Sequence, residues 1–345
     1  MITLKKNSDK DFLILNLTDT QLVTEDWEKN SINKNVLYYT VDKLIERVKP
    51  DLITVSGDIA DRGQIPVYEK FTELIDSYNI PWAPIWGNHD NEYAEKHLDK
   101  VADIFLSSKN IVFEKGSPDM GMGNYVINVE ENEQTVFGLF MLDAHDKIKI
   151  TKENGEEKRV YAKILPCQIE WYEEQVKALN KNGCKETAII THIPFYGYRK
   201  AFEEAWNKDI DEKSLTGADS SRKDLWNDGY KDCSFGIKMM PVCSHPYDDG
   251  VFEAIKRLNS TKTVLCGHDH YNNCITVYDG IKLGYSLKTG AGAMRQKGLN
   301  GGTVIRVGSN GVKDVYHENI DVSHFFAEIE RRYREEQAAK NQSNV

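Results

Sequence analysis

Short apolar runs rich in β-branched residues recur along the chain, and in its first half they alternate with segments whose apolar positions repeat every three to four residues. The runs Phe12 to Leu17, Leu52 to Ser56, Trp82 to Trp86, Tyr125 to Val129, Thr135 to Leu142, Thr187 to Ile190, Thr261 to Cys266, Cys274 to Val277 and Thr303 to Val307 read as strands. Between the first two, Val36, Leu37, Thr40, Val41, Leu44, Ile45 and Val48 share one helical face, and Pro50 stops that helix. Pro66 opens a second helix with Val67, Phe71, Leu74 and Ile75 inward. Pro166 opens a third with Ile169, Tyr172, Val176 and Leu179 inward and Gly183 as its stop. The segments 124–142 and 272–307 read as strand-rich hairpins, with Asp279-Gly280 supplying one turn. Two packed sheets with helices outside accommodate this pattern better than one doubly wound sheet, so the expected class is α/β.

Periodicity fades from Phe195 to Gly250, a polar stretch punctuated by Trp206, Trp226, Tyr230 and Tyr247. A stretch this long reads as a lid or specificity insert, its aromatics forming a satellite core rather than a base-stacking platform. The expected division is one domain over 1–322, with the insert at about 195–250, followed by a charged C-terminal helix and tail over 323–345.

At 345 residues the chain can bury a large core, and none of its apolar runs approaches the roughly 20 residues of a membrane span. No apolar stretch follows the basic residues near Met1, so a cytoplasmic location without a membrane partner is expected. The six cysteines (Cys167, Cys184, Cys233, Cys243, Cys266 and Cys274) are scattered and read as free thiols. A net charge of -10 argues against non-specific nucleic-acid binding. A small phosphorylated substrate, a nucleotide among the options, fits if metal ions supply the positive field locally.

The chemistry concentrates where apolar runs give way to polar residues: Asp19-Thr20-Gln21, Gly57-Asp58-Ile59-Ala60-Asp61-Arg62, Gly87-Asn88-His89-Asp90, Thr191-His192 and Gly267-His268-Asp269-His270. Carboxylate, amide and imidazole donors together make the ligand set of a paired-metal hydrolase. If their segments stay extended, Asp19 and Gln21 face one metal, and His268 and His270 both face the site while Asp269 faces away. Asp58 can bridge two cations through its two oxygens, Asn88 adds a neutral oxygen, and His192 and His268 add imidazoles. His89 is the candidate acid for the leaving oxygen, Asp61 the group orienting its ring, and Arg62 a candidate phosphate clamp with a helix-entry ion pair as the rival role. His145 and His245 read as loop residues, and His97, His317 and His324 as ordinary surface or helix residues.

This series resembles the calcineurin-like metallophosphoesterase superfamily, whose pattern is D-x-H, GD-x-x-D, GNH-D/E, a later H and GH-x-H. The resemblance covers Asp19 to His270 with all blocks in order. Pro241-Val242-Cys243-Ser244, Gly250-Val251-Phe252, Cys266 through Asn272 and Lys288-Thr289-Gly290 are similar to the purple-acid-phosphatase-like branch, which includes phosphatases of the dosage-dependent cell-cycle-regulator type. The resemblance implies a four-layer αββα sandwich of two mixed β-sheets. It also implies two divalent ions, one held by Asp19, Gln21, Asp58 and His270 and the other by Asp58, Asn88, His192 and His268. Gln21 stands where the pattern usually has His; its harder oxygen favours manganese or magnesium over zinc or iron. Manganese-dependent ADP-ribose/CDP-alcohol diphosphatases look similar in carrying Gln there. Asp61 occupies the neighbourhood of the Tyr ligand of true purple acid phosphatases, so an iron-tyrosinate chromophore is not expected. The implied activity is phosphate-ester hydrolysis by in-line attack of a metal-bound hydroxide, with His89 protonating the leaving group. The alternatives are a nucleotide diphosphatase or cyclic-nucleotide phosphodiesterase and, from another class, a degenerate metal-binding protein without catalysis.

Overall fold

A computed structural model describes residues 1–92, 97–293, 298–327 and 331. Its strands are β1 (Ile2–Lys5), β2 (Phe12–Leu17), β3 (Leu52–Ser56), β4 (Trp82–Ile85), β5 (Tyr125–Glu131), β6 (Gln134–Leu142), β7 (Lys147–Thr151), β8 (Glu157–Tyr161), β9 (Thr187–Thr191), β10 (Thr261–Cys266), β11 (Ile275–Tyr278), β12 (Ile281–Tyr285), β13 (Gly301–Gly308) and β14 (Gly311–Asn319). The helices are α1 (Thr24–Glu28), α2 (Ile32–Val48), α3 (Ile65–Asp76), α4 (His97–Leu106), α5 (Pro166–Lys181), α6 (Gly197–Ala205) and α7 (Val251–Leu258).

One sheet runs β1-β5-β6-β9-β10-β12-β11 and the other β14-β13-β2-β3-β4, each mixing parallel and antiparallel pairs. Successive residues of a strand serve opposite faces, which gives the sheets their two coats. Phe137, Leu139 and Met141 of β6 enter a core shared with β2, β3, α2 and α3. Phe140 and Leu142 enter a second core with α5, α6 and α7. Burying each such large side chain contributes about 1.5–3 kcal/mol. Two mixed sheets face to face with helices outside form the expected αββα sandwich.

Helix boundaries follow their local chemistry. Ser31 caps α2 by accepting from Lys34 N at 3.2 Å, and Lys49 ends it with φ +52°. Pro66 lies in the first turn of α3 and Pro166 in that of α5. The turn Asp279-Gly280 joins β11 to β12 as expected. The β7–β8 hairpin escapes the hydrophobic pattern because most of its residues are exposed. β1 and β14 likewise lie outside the expected runs; each is an edge strand with partly exposed positions.

In the 195–250 stretch, α6 leads into irregular chain whose Trp206 and Trp226 rings meet edge to face at 5.2 Å. Both are buried with Phe195, Phe202, Leu215 and Leu225 in the second core. His317 corrects its assignment to ordinary surface: Thr303 Oγ1 lies 3.0 Å from Nδ1 and the Asn273 carbonyl 2.7 Å from Nε2. Most of the expected C-terminal helix and tail, residues 328–330 and 332–345, lies outside the described residues.

Candidate metal centre

β2, β3, β9 and β10 end close together, and the polar residues just past them converge. The link between the sheets is itself polar. Asn16 donates to Ser56 Oγ at 3.0 Å and Ser286 Oγ at 2.7 Å and accepts from Thr54 Oγ1 at 2.9 Å, so the buried amide is satisfied.

The ligand-bearing segments do not stay extended, which corrects the geometry expected of Asp19 to Gln21 and of His268 to His270. Asp19 has φ +54°, Gln21 +44°, Asp58 +52° and His268 +74°, conformations that non-glycine residues adopt at a cost. Backbone bonds hold them: Asp19 N donates to Gly57 O at 3.1 Å, Gln21 N to Asp58 O at 2.9 Å, and Asp269 N to Gly267 O at 2.9 Å across a three-residue turn. Close approach excludes side chains at two neighbours. A Cβ on Gly87 would lie 2.1 Å from Asp58 Oδ1, and one on Gly267 2.7 Å from Asp19 Oδ2.

Of three groups among the described residues whose donor atoms lie within 4.8 Å of one another, Asp61–His89–Glu92 is half-buried, and two, Asp58–His192–His268 and Asp19–Asp58–His270, lie where the strands converge. Asp58 belongs to both. His192 Nε2 lies 3.3 Å from Asp58 Oδ2 and His270 Nε2 3.2 Å from Asp19 Oδ1. The Ser56 carbonyl, 2.7 Å from His192 Nδ1, fixes that nitrogen as the protonated one and leaves Nε2 free to coordinate. Asp19 Oδ1, Asn88 Oδ1 and His192 Nε2 are buried without a hydrogen bond. Such unsatisfied buried donors and acceptors are costly, and divalent cations are the partners that hard oxygen and imidazole atoms at this spacing fit.

The charges agree. Burial opposes ionisation of Asp19 and Asp58, yet neighbouring histidines hold both carboxyls low, Asp58 at about 2. Burial likewise opposes charge on His192, but Asp58 and Asp19 push it up to about 10, the same negative field a cation would occupy. Burial and the neighbouring His192 pull His268 down to about 3, which keeps its ring neutral and able to ligate.

His89 stands apart from both groups, half-buried, with its backbone N–H donating to Asp58 Oδ1 at 2.9 Å. Its Nδ1 lies 2.9 Å from Glu92 Oε2 and 3.4 Å from Asp61 Oδ1. Glu92, missed in the sequence, is thus nearer than Asp61. Burial works against a charged His89 ring, but Asp58, Glu92 and Asp61 together raise its pKa above the ordinary value. Arg62 belongs to no ligand group: its side chain is 64% exposed and pairs with Asp61 at 3.7 Å, the helix-entry role.

Asp90 also escaped the sequence reading. It accepts from Ile59 N, Ala60 N and Tyr68 Oη through one oxygen and from Gly87 N at 2.8 Å through the other, clamping the loop after β3 to the loop after β4. Burial and Asp58 raise it to about 6. Lys288, likewise not assigned a role, is buried and donates from Nζ to the Asp19 carbonyl at 2.7 Å and to Gln21 Oε1 at 3.0 Å. Gln21 Nε2 donates to Asp58 Oδ2 at 3.2 Å. A lysine beyond β12 carries no local sign that it returns to the turn after β2.

Surrounding elements close on the centre. Tyr161 of β8 meets the His268 ring edge-on at 4.5 Å. Asp269 is in neither ligand group and accepts from Cys243 N at 3.1 Å, tying the 195–250 stretch to the histidine loop. His145, half-buried with Nε2 2.8 Å from Gln168 Oε1, lines a cavity of about 510 Å³ with Trp86, Gly87 and Asn91. His245 is buried and accepts from Tyr247 N at 3.1 Å.

A sandwich of two mixed sheets carrying paired oxygen and imidazole ligand groups at its strand ends is the architecture of a metal-binding phosphoesterase. The family model for calcineurin-like phosphoesterases matches residues 12–272, and the chain belongs to that family. It is 24% identical over 273 residues to the Arabidopsis thaliana protein named "Probable inactive purple acid phosphatase 14", covering 71% of this chain and 60% of that one. To "Phosphatase DCR2" of Saccharomyces cerevisiae it is 25% identical over 245 residues, covering 68% and 38%. The chain therefore spans less than two thirds of either relative's length. A crystal structure of a dimetal phosphatase from Danio rerio shares the fold, with TM-score 0.51 and 11% identity over 90% of this chain and 96% of that one. No helix among the described residues is long and apolar enough to cross a membrane.

Proposed function

We propose that the protein is a phosphoesterase that uses two divalent ions, one held by Asp58, Asn88, His192 and His268 and the other by Asp19, Asp58 and His270, with Gln21 beside the second. The observation that carries this reading is the membership of Asp58 in both ligand groups, beside buried donor atoms that no protein group satisfies. Bound ions would supply Lewis-acid polarisation of the phosphoryl oxygens and lower the pKa of an attacking water. Manganese is the first candidate, because carboxylate and amide oxygens outweigh soft donors here; iron, zinc and magnesium are the alternatives.

The chain's own residues do the rest. His89, kept protonated by Asp58, Glu92 and Asp61, gives its proton to the departing oxygen. Glu92 and Asp61 flank Nδ1 and orient the ring, while Asp90 fixes the loop that carries both Asn88 and His89. The exposed Arg62 is free to meet a phosphate on the site's rim. The 195–250 stretch, anchored through Asp269, selects among monoesters, diesters and nucleotide diphosphates. A cytoplasmic setting is part of the proposal.

A second reading, a metal-binding protein without turnover, draws on Gln21 facing Lys288 and on the word "inactive" in the names of plant relatives. Metal-stripped protein refilled with Mn²⁺ and assayed on p-nitrophenyl phosphate, bis-p-nitrophenyl phosphate and ADP-ribose separates the two. Hydrolysis that returns with the metal supports the enzyme, and the preferred ester names its class. Bound metal with no hydrolysis of all three supports the second reading.

A further inference from the structure

We propose that Lys288 is a positioning residue that makes the two ligand groups unequal: its ammonium occupies the Gln21 amide oxygen, so the group around Asp19 takes a divalent ion more weakly than the group around His192. This rests on the two-ion reading above, but not on turnover.

The Gln21 amide is committed at both ends, each in the sense that charge demands. Its oxygen receives the Lys288 ammonium at 3.0 Å and its nitrogen donates to Asp58 at 3.2 Å. Turning the amide over would set N–H against ammonium and oxygen against carboxylate. For Gln21 to ligate a metal, its oxygen must either release the Lys288 ammonium, which is 3% exposed and costly to leave under-partnered, or share its two lone pairs between that ammonium and a dication that repel each other. The segment cannot easily carry the lysine away. Thr289 N donates to Thr18 O at 2.9 Å and Thr18 N to Thr289 Oγ1 at 3.1 Å, pinning the neighbour of Lys288 to the neighbour of Asp19.

The Asp19 side is thus left with Asp58, His270 and Asp19, whose Oδ1 is one unsatisfied ligand atom, while the other side keeps two, Asn88 Oδ1 and His192 Nε2. Charge acts in the same direction. Two divalent ions against Asp19 and Asp58 already leave a positive excess, and a buried ammonium touching the Asp19 turn enlarges it on that side.

Calorimetric titration of metal-stripped protein with Mn²⁺, with bound metal counted by elemental analysis, tests the proposal. In the wild type one ion binds tightly and a second at least about tenfold more weakly. Lys288→Met tightens the second ion by about tenfold and leaves the first within about threefold, and Gln21→Ala moves neither by more than about threefold. Equal affinities in the wild type, a Lys288→Met variant whose second ion is unchanged or weaker, or loss of an ion in Gln21→Ala overturns the proposal. Lys288→Leu, which likewise removes both the charge and the donor, replaces the Met variant if that one does not fold. A merely structural lysine would not yield tighter binding when removed. Because every readout is metal binding, two unequal ions without ester hydrolysis would contradict the proposed activity and leave this inference standing.

Discussion

The two sides of the centre are built from the same kinds of residue and differ in how those residues are occupied. On the side of His192, the Ser56 carbonyl sets the tautomer and both His192 Nε2 and Asn88 Oδ1 stand without a hydrogen bond. On the side of Asp19, the amide that should complete the set is engaged by Lys288 and Asp58. Counting residue types finds ligands on both sides alike. Hydrogen-bond accounting separates them by degree: two unsatisfied ligand atoms on the His192 side, against one, Asp19 Oδ1, beside an amide already engaged by a buried lysine.

Substitutions break or sharpen this contrast to different degrees. Asp58→Ala abolishes it, since both groups contain Asp58: bound metal falls below one ion per chain and ester hydrolysis drops by about 10³-fold or more. His89→Ala leaves the contrast intact and removes the proton donor. Metal content stays at the wild-type level while kcat on an alkyl phosphate falls by about 10²-fold or more, and less on a p-nitrophenyl ester whose leaving group needs no proton.

Asp90→Ala acts through the loop carrying Asn88 and, more weakly, through the loop carrying the shared Asp58. Loss of the acceptor for Gly87, Ile59, Ala60 and Tyr68 is expected to cost about 3 kcal/mol in urea unfolding, and to weaken the tighter ion. Glu92→Gln is the mildest. The His89 pKa is raised, so the protonated, working form persists below that raised value and activity is lost as pH climbs through it. Removing one of the carboxylates that raise it moves the high-pH limb of kcat/KM to lower pH, whereas an unmoved limb would take Glu92 out of the proton-donor assembly.

Much of the frame was legible because buried strands and first-turn prolines leave strong local patterns. The runs now seen as β2, β3, β4, β9 and β10 stood out by apolar content, and the ligand residues stood just past their ends. Local geometry was not legible. Extended segments were expected at Asp19 to Gln21 and His268 to His270, but the positive φ angles at Asp19 and Gln21 depend on backbone bonds to the distant loop after β3, and that at His268 on a three-residue turn. Residues that return from afar were also silent. Lys288 lies some 270 positions from Asp19 in sequence and touches its carbonyl. Glu92 sits only three residues past His89, and its acidity beside a candidate proton donor was a usable signal. The β7–β8 hairpin left no signal because its exposed faces need no apolar residues, although it brings Tyr161 to His268.

Electron paramagnetic resonance of metal-stripped protein refilled stepwise with Mn²⁺ tests the sharing of Asp58 most directly. The account predicts the hyperfine pattern of an isolated ion through the first equivalent, replaced by the broadened spectrum of a coupled pair as the second binds beside the same carboxylate. An isolated-ion pattern that simply doubles through two bound equivalents would contradict it, because ions joined through Asp58 cannot remain magnetically independent.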